Sequence, residues 1–151
     1  MTEPARGAGS QPVFQLMYRS RNRLPAEHRG DELADLFTRA RSDNQRRDIT
    51  GALLVSDQWF VQVLEGDEDL VRSLFDRIQR DPRHEDVELL FTEGAVSRAF
   101  AHWSMAKVAM PDVDLPLIAQ VSEVAPGSRM TPAMGELLDR MRHSVEGEPS
   151  A

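Results

Sequence analysis

The run Trp59-Phe60-Val61-Gln62-Val63-Leu64 constrains the fold more than any other stretch of the chain. Alternation along a strand sends Phe60, Gln62 and Leu64 to one side and Trp59, Val61 and Val63 to the other. Both sides then carry large apolar groups, so a sheet containing this strand needs cover on both faces; a bare face would be sticky. Neighbouring segments supply the first cover. Leu33, Leu36, Phe37 and Ala40 stand at i, i+3, i+4 and i+7, the apolar stripe of a helix, with Asp31 as its cap and Ser42-Asp43-Asn44 as its expected end. Val71, Leu74, Phe75 and Ile78 repeat that spacing after Gly66, and the second helix should stop at Asp81-Pro82.

Strands are expected at Val13 to Tyr18, before an Arg, Asn and Pro-containing loop, and at Ile49 to Ser56 and Gln58 to Glu65, a hairpin turning near Asp57. Two more are expected at Asp86 to Glu93 and His102 to Ala109. The order β-α-β-β-α-β-β implies an α+β fold: a ferredoxin-like sheet with an added strand and both helices on one face. Two later helical segments, Leu115 to Val124 and a stripe of Met134, Leu137, Leu138 and Met141 behind Pro132, are expected to cover the other face. The expected organisation is a disordered leader over 1–11, a folded unit over 12–110, a helical cap over 111–145 and a tail over 146–151.

Composition narrows function mostly by exclusion. A formal net charge of -7 argues against sequence-independent nucleic-acid binding, which needs positive charge to displace counterions. Arginines do cluster, at Arg19, Arg21 and Arg23 and at Arg39, Arg41, Arg46 and Arg47; a solvated face is the first reading and anion contact the second. No apolar run reaches the roughly 20 residues of a membrane-spanning helix, and the first residues lack the apolar core of a secretory signal. A soluble, cytoplasmic protein is therefore expected. Cysteine is absent, which removes disulfides and thiolate chemistry. His28, His84, His102 and His143 include no pair at helical ligand spacing, and there is no GxSxG elbow, phosphate loop or GxGxxG. No metal and no enzymatic activity are expected.

Four polar or redox-capable groups in otherwise apolar strands remain: Tyr18, Gln62, Trp103 and Met105. An unpaired Gln62 amide inside its apolar strand would cost about 1–3 kcal/mol. It needs partners, either a structural bond to backbone or to Tyr18, or a ligand. Tyr18, the chain's only tyrosine, is taken alone a core residue with a satisfied hydroxyl. Alternate spacing puts Trp103 and Met105 on one face of the last strand.

Together these residues resemble the BLUF family (blue light using FAD) over about Val13 to Met110. The signatures are Leu16-Met17-Tyr18-Arg19-Ser20, Asn44 followed by Asp48-Ile49-Thr50-Gly51, Phe60-Val61-Gln62-Val63-Leu64-Glu65-Gly66, Asp81-Pro82-Arg83-His84 and Trp103-Ser104-Met105. Five segments in the expected order are far more specific than any lone motif. The resemblance implies a non-covalent flavin, usually FAD, with its ring between the two helices above the sheet face bearing Gln62. Ile78 and Phe60 would be apolar walls, Asn44 would bond the polar edge of the ring, and Arg77, Arg83 or His84 would face the ribityl and phosphate portion. Asp43 departs from the family's pattern, which more often has an uncharged polar residue or His there. Its carboxylate would repel the flavin's carbonyl edge unless it is protonated, turned outward or paired with an arginine such as Arg41.

The function implied is blue-light sensing. Tyr18 would donate an electron and a proton, Gln62 would relay the proton and return in a new hydrogen-bonded state by rotation or tautomerisation, and Trp103 and Met105 would adjust and pass the change to the sheet. Output is expected to go to a separate, unidentified partner protein or through self-association as a homo-oligomer. Two other readings stay open: a light-insensitive interaction module of the same fold, and a small hydrolase resembling acylphosphatase, for which Arg19 to Arg23 offers only a faint phosphate-loop echo.

Overall fold

The computed structural model describes residues 12–109, 116–121 and 130–146. The expected leader and the end of the tail lie outside them, as does part of the expected cap. Along the chain come β1 (Val13–Asn22), a short 3-10 turn (Ala26–His28), α1 (Arg29–Arg47), β2 (Thr50–Val55), β3 (Trp59–Gly66), α2 (Glu68–Gln79), β4 (His84–Ala95), β5 (Ala106–Val108), α3 (Pro116–Gln120), α4 (Pro132–Arg142) and β6 (Val145–Glu146).

The sheet order is β4-β1-β3-β2-β5-β6. Its first four strands are antiparallel neighbours in the ferredoxin-like arrangement, β5 adds parallel to β2, and β6 closes that edge. The β1–β3 register sets Tyr18 opposite Gln62, and β2–β3 sets Leu53 opposite the same residue. Gly51 is required here by close approach, since a Cβ would stand 2.0 Å from the Val63 carbonyl oxygen.

Alternation divides the core in two. Leu16, Tyr18, Leu53, Phe60 and Leu64 meet Leu36 and Phe37 of α1 and Val71 of α2 on one face. On the other, Met17, Leu54, Val61, Val63 and Phe91 meet Ile118, Val121, Met134, Leu137 and Met141. Full burial of side chains such as Leu137 and Met141 contributes about 1.5–3 kcal/mol each, which is what docks α4. Its N-terminus is capped by Thr131, whose hydroxyl accepts from the Met134 N–H at 3.2 Å, with Pro132 in the first turn.

Several boundaries differ from expectation. β1 runs on to Asn22 because ladders on both sides, to Trp59 and to His84, satisfy a backbone whose side chains read as loop. α1 begins at Arg29, so Asp31 lies in its first turn, beside Glu32, instead of capping it. It also passes through Ser42-Asp43-Asn44 to Arg47. It ends where Asp48 adopts a left-handed backbone (φ 55°) and the Ile49 N–H returns to the Asn44 carbonyl at 2.9 Å. β4 starts at His84, and β5 is confined to Ala106–Val108. Trp103 and Met105 therefore precede the strand. They part to opposite faces, Met105 joining the α1/α2 side and Trp103 packing against the α3/α4 side.

Candidate functional site

A cleft of about 260 Å³ opens between α1 and α2 above the sheet. Leu36, Ala40 and Asn44 line it from α1, Leu74, Arg77 and Ile78 from α2, and Leu53, Gln62 and Met105 form its floor. The volume lies near the lower end for small-molecule sites, which suits a planar ring system held inside with any remainder outside. Apolar walls from two helices and amides at the floor are what such a ring with a hydrogen-bonding edge requires, so the residues present fit a flavin.

At the floor, the Tyr18 hydroxyl donates to Oε1 of Gln62. The Gln62 Nε2 donates to the Met105 sulfur at 3.4 Å, a weak acceptor, and a primary amide has a second N–H to offer. Within the protein, Gln62 thus pairs with Tyr18, and its second N–H is left for the cleft. Complete burial drives the Tyr18 phenol well above its ordinary pKa; the nearby Asp81 carboxylate adds to this and Arg83 opposes it. Tyr18 is therefore a neutral phenol whose proton has one accepting atom in contact.

Asn44, buried on α1, donates from Nδ2 to the Ser104 carbonyl at 2.8 Å. The adjacent carbonyls are held likewise, Trp103 by the Gly51 N–H at 3.1 Å and Met105 by Arg41 Nε at 3.1 Å. Three consecutive carbonyls of the β4–β5 loop are thus fastened to β2 and α1. The indole Nε1 of Trp103 is buried with no hydrogen-bond partner among the described residues, a state that costs about 1–3 kcal/mol.

The remaining candidates divide. Ile78 and Arg77 line the cleft. Phe60 is fully buried and packs against the His84 ring at 4.7 Å, so it lies behind His84 and not in the cleft wall. His84 lines the cleft, and its Nδ1 shares a hydrogen bond with Ser20 Oγ at 2.7 Å. Burial lowers its pKa to about 4; Asp81 opposes that shift and Arg83 reinforces it. Asp81 and Arg83 pair through both carboxylate oxygens at 2.5–3.0 Å. Burial pushes the Asp81 carboxyl up, but the Arg83 hydrogen bonds and charge outweigh it and hold the group below its ordinary range. Asp43 lines the cleft and pairs with Arg46, one turn on along α1; Arg41 is occupied by the Met105 carbonyl.

Glu65 carries no signal of its own in the sequence beyond its place in the third signature, yet it is fully buried. Its carboxylate accepts from Gln15 Nε2 (2.9 Å), Thr50 Oγ1 (3.0 Å) and the backbone N–H groups of Ala99 (2.5 Å) and Phe100 (3.0 Å). Four donors converge on one anion, tying β3, three residues beyond Gln62, to the loop that leads to Trp103. Only the tertiary fold assembles them.

Residues 13–106 match the family model described as sensors of blue-light using FAD. Among curated proteins, the photoactivated adenylate cyclase subunit alpha of Euglena gracilis is 33% identical over 97 residues, 64% of this chain and 10% of that protein. The blue light- and temperature-regulated antirepressor BluF of Escherichia coli is 32% identical over 74 residues, 49% of this chain and 18% of that protein. The chain thus spans only a small part of these relatives. Two solved structures match nearly end to end: BlsA in its photo-activated state (TM-score 0.75, 25% identity, 90% of this chain and 99% of that one) and BlrB in its dark state (0.72, 28%, 89% and 98%). BLUF units are sensory modules and not catalytic ones, and with the family model spanning more than half of the sequence this chain belongs to the BLUF family of flavin-based blue-light sensors.

Proposed function

We propose that this protein binds FAD non-covalently in the α1–α2 cleft and reports blue light through Tyr18 and Gln62 to a separate protein. The observation that carries the reading is the hydrogen bond from the Tyr18 hydroxyl to Gln62 Oε1 at the cleft floor. Asn44 and Gln62 would bond the ring's polar edge, Ile78 and Leu74 would flank it, and Arg77, with Arg83 and His84, would meet the ribityl and phosphate part. Under blue light a bound flavin supplies a one-electron oxidant.

The chain's own part follows from burial and geometry. A phenol this deeply buried does not ionise in advance, so Tyr18 gives up electron and proton together, the proton moving toward Gln62 Oε1. Gln62 has both donor and acceptor ends and a weakly held Nε2, so rotation or tautomerisation can leave it in a second hydrogen-bonded state. Its contact with Met105 then changes, and Met105 belongs to the loop whose three carbonyls are pinned and whose Trp103 indole N–H has no hydrogen-bond partner among the described residues. Trp103 and Met105 readjust, and the change reaches the sheet and the partner. Asp43, paired along α1 with Arg46, leaves the cleft acceptable to carbonyl oxygens.

An absorption spectrum of purified protein in the dark and under blue light, with chromatographic identification of the released chromophore, tests this. FAD with a reversible red shift is expected. Flavin without a shift would remove the relay, another flavin such as FMN would correct the cofactor, and colourless protein refusing FAD would leave an interaction module of the same fold.

A further inference from the structure

Arg19 follows Tyr18 in β1, so its side chain lies on the opposite face of the sheet, and it is 7% exposed. It is not part of a solvated arginine face. Its Nε donates to Glu88 of β4 at 2.8 Å, with NH2 on the same carboxylate oxygen. NH1 donates to the carbonyls of Ile118 (2.6 Å) and Val121 (2.8 Å) at the C-terminal end of α3, and the guanidinium lies 4.8 Å from the Trp59 ring centroid. A cation on the last carbonyls of a helix suits both their lone pairs and the helix dipole. The β1–β3 register is unbroken through Tyr18 and Arg19, whereas the β1–β4 register shifts on either side of them, between Met17 and Tyr18 and between Arg19 and Arg21. The dipeptide is thus regular with β3, the strand of Gln62, and irregular with β4, where such shifts re-aim side chains.

We propose that Arg19 is a positioning residue that latches α3 to the sheet and carries the rearrangement at Tyr18 through to it, so that α3 opens more often in the light. The latch half stands on the contacts alone; the relay half rests on the Tyr18–Gln62 reading above. Four of the five guanidinium N–H groups are engaged by Glu88, Ile118 and Val121, so a displacement of the Tyr18-Arg19 backbone is felt at contacts to both β4 and α3.

Amide hydrogen exchange on the flavin-loaded full chain tests both halves, with the red shift recorded on the same samples. In the dark, Arg19→Gln should speed exchange of the α3 amides and of Val121, whose N–H bonds the Leu117 carbonyl just past the helix, about tenfold over the parent, as expected for loss of charge-assisted bonds; unchanged exchange overturns the latch. Where Arg19→Gln fails to fold, Arg19→Lys, which can meet the carboxylate but not both carbonyls, should show a smaller increase confined to α3. An increase spread over the whole sheet would overturn the assignment. Under blue light the parent should exchange faster at α3, and Arg19→Gln should keep its red shift yet lose that light–dark difference. A parent with the red shift and no change at α3, or a variant with the parent's full light–dark difference, overturns the relay. A parent with no red shift removes the Tyr18–Gln62 reading and the relay with it, and the dark comparison still decides the latch.

Discussion

Alternate residues of the same strands build both faces of the sheet, yet the α3/α4 face is filled while the α1/α2 face keeps a cleft between its helices. On the filled face, Met134, Leu137 and Met141 are wholly buried and the buried cation Arg19 is bonded by a carboxylate and two carbonyls. On the open face, Leu74 and Ile78 are only half-buried, and Tyr18, Gln62, Asn44 and His84 gather at or beside the gap. The difference teaches that one side of the sheet is spent on packing and the other keeps room for a ligand, with Tyr18 and Gln62 at its floor. Packing that closed the cleft would contribute more burial and leave no room for a ring.

The largest expected effect is on the open face. Tyr18→Phe and Gln62→Leu should each keep the bound flavin and abolish the light-induced red shift, read by difference spectroscopy; a normal shift in either breaks the division of labour. Next comes the filled face, where Leu137→Ala should lower unfolding free energy by about 2–5 kcal/mol. Its flavin affinity, measured by titration, should stay within about twofold. A large loss of affinity would show that the faces are not independent.

Acid should then separate the faces further. His84 titrates near its ordinary 6.5 in the unfolded chain and at about 4 in the folded one. Between those values the unfolded state holds the extra proton, so stability is full above 6.5 and falls by about 3 kcal/mol as pH drops to 4. The lowered Asp81 pKa works in the same direction in a more acidic window, contributing above its ordinary 3.8 and lost below it. Denaturant unfolding from pH 7 to 4 should show the slope in the parent and a flatter profile in His84→Gln; equal slopes would remove His84 as the cause. The smallest effect belongs to Asp43→Asn. Its carboxylate is already paired with Arg46 and its side chain is 31% exposed, so flavin affinity should move less than about twofold. A tenfold gain would mean the carboxylate does face the ring.

Much of this was legible in the chain. The two helical stripes, the hairpin and the two-faced β3 lead to the ferredoxin-like sheet because periodicity reports which side of an element is buried. Family signatures then point to Tyr18 and Gln62, which the register brings opposite each other. Legibility failed where a tertiary partner outweighs a local tendency. Asn44 reads as a helix end and sits inside the helix because its amide holds the Ser104 carbonyl. Arg19 reads as solvated and is buried because Glu88 and α3, far along the chain, come to meet it. Trp103 and Met105 read as one strand face and diverge because the loop before β5 is shaped by bonds to Gly51, Asn44 and Arg41.

The sequence by itself determined the order of the first seven strands and helices and the need for two covers, since these follow from local spacing, while its family signatures, not spacing, singled out Tyr18 and Gln62. Tertiary structure alone decided that Tyr18 donates to Gln62, that Glu65 gathers four donors, that Phe60 lies behind His84 and that Arg19 grips α3. The reason is physical: a hydrogen bond depends on distance and direction between groups that the chain separates by tens of residues, and only the closed sheet fixes either.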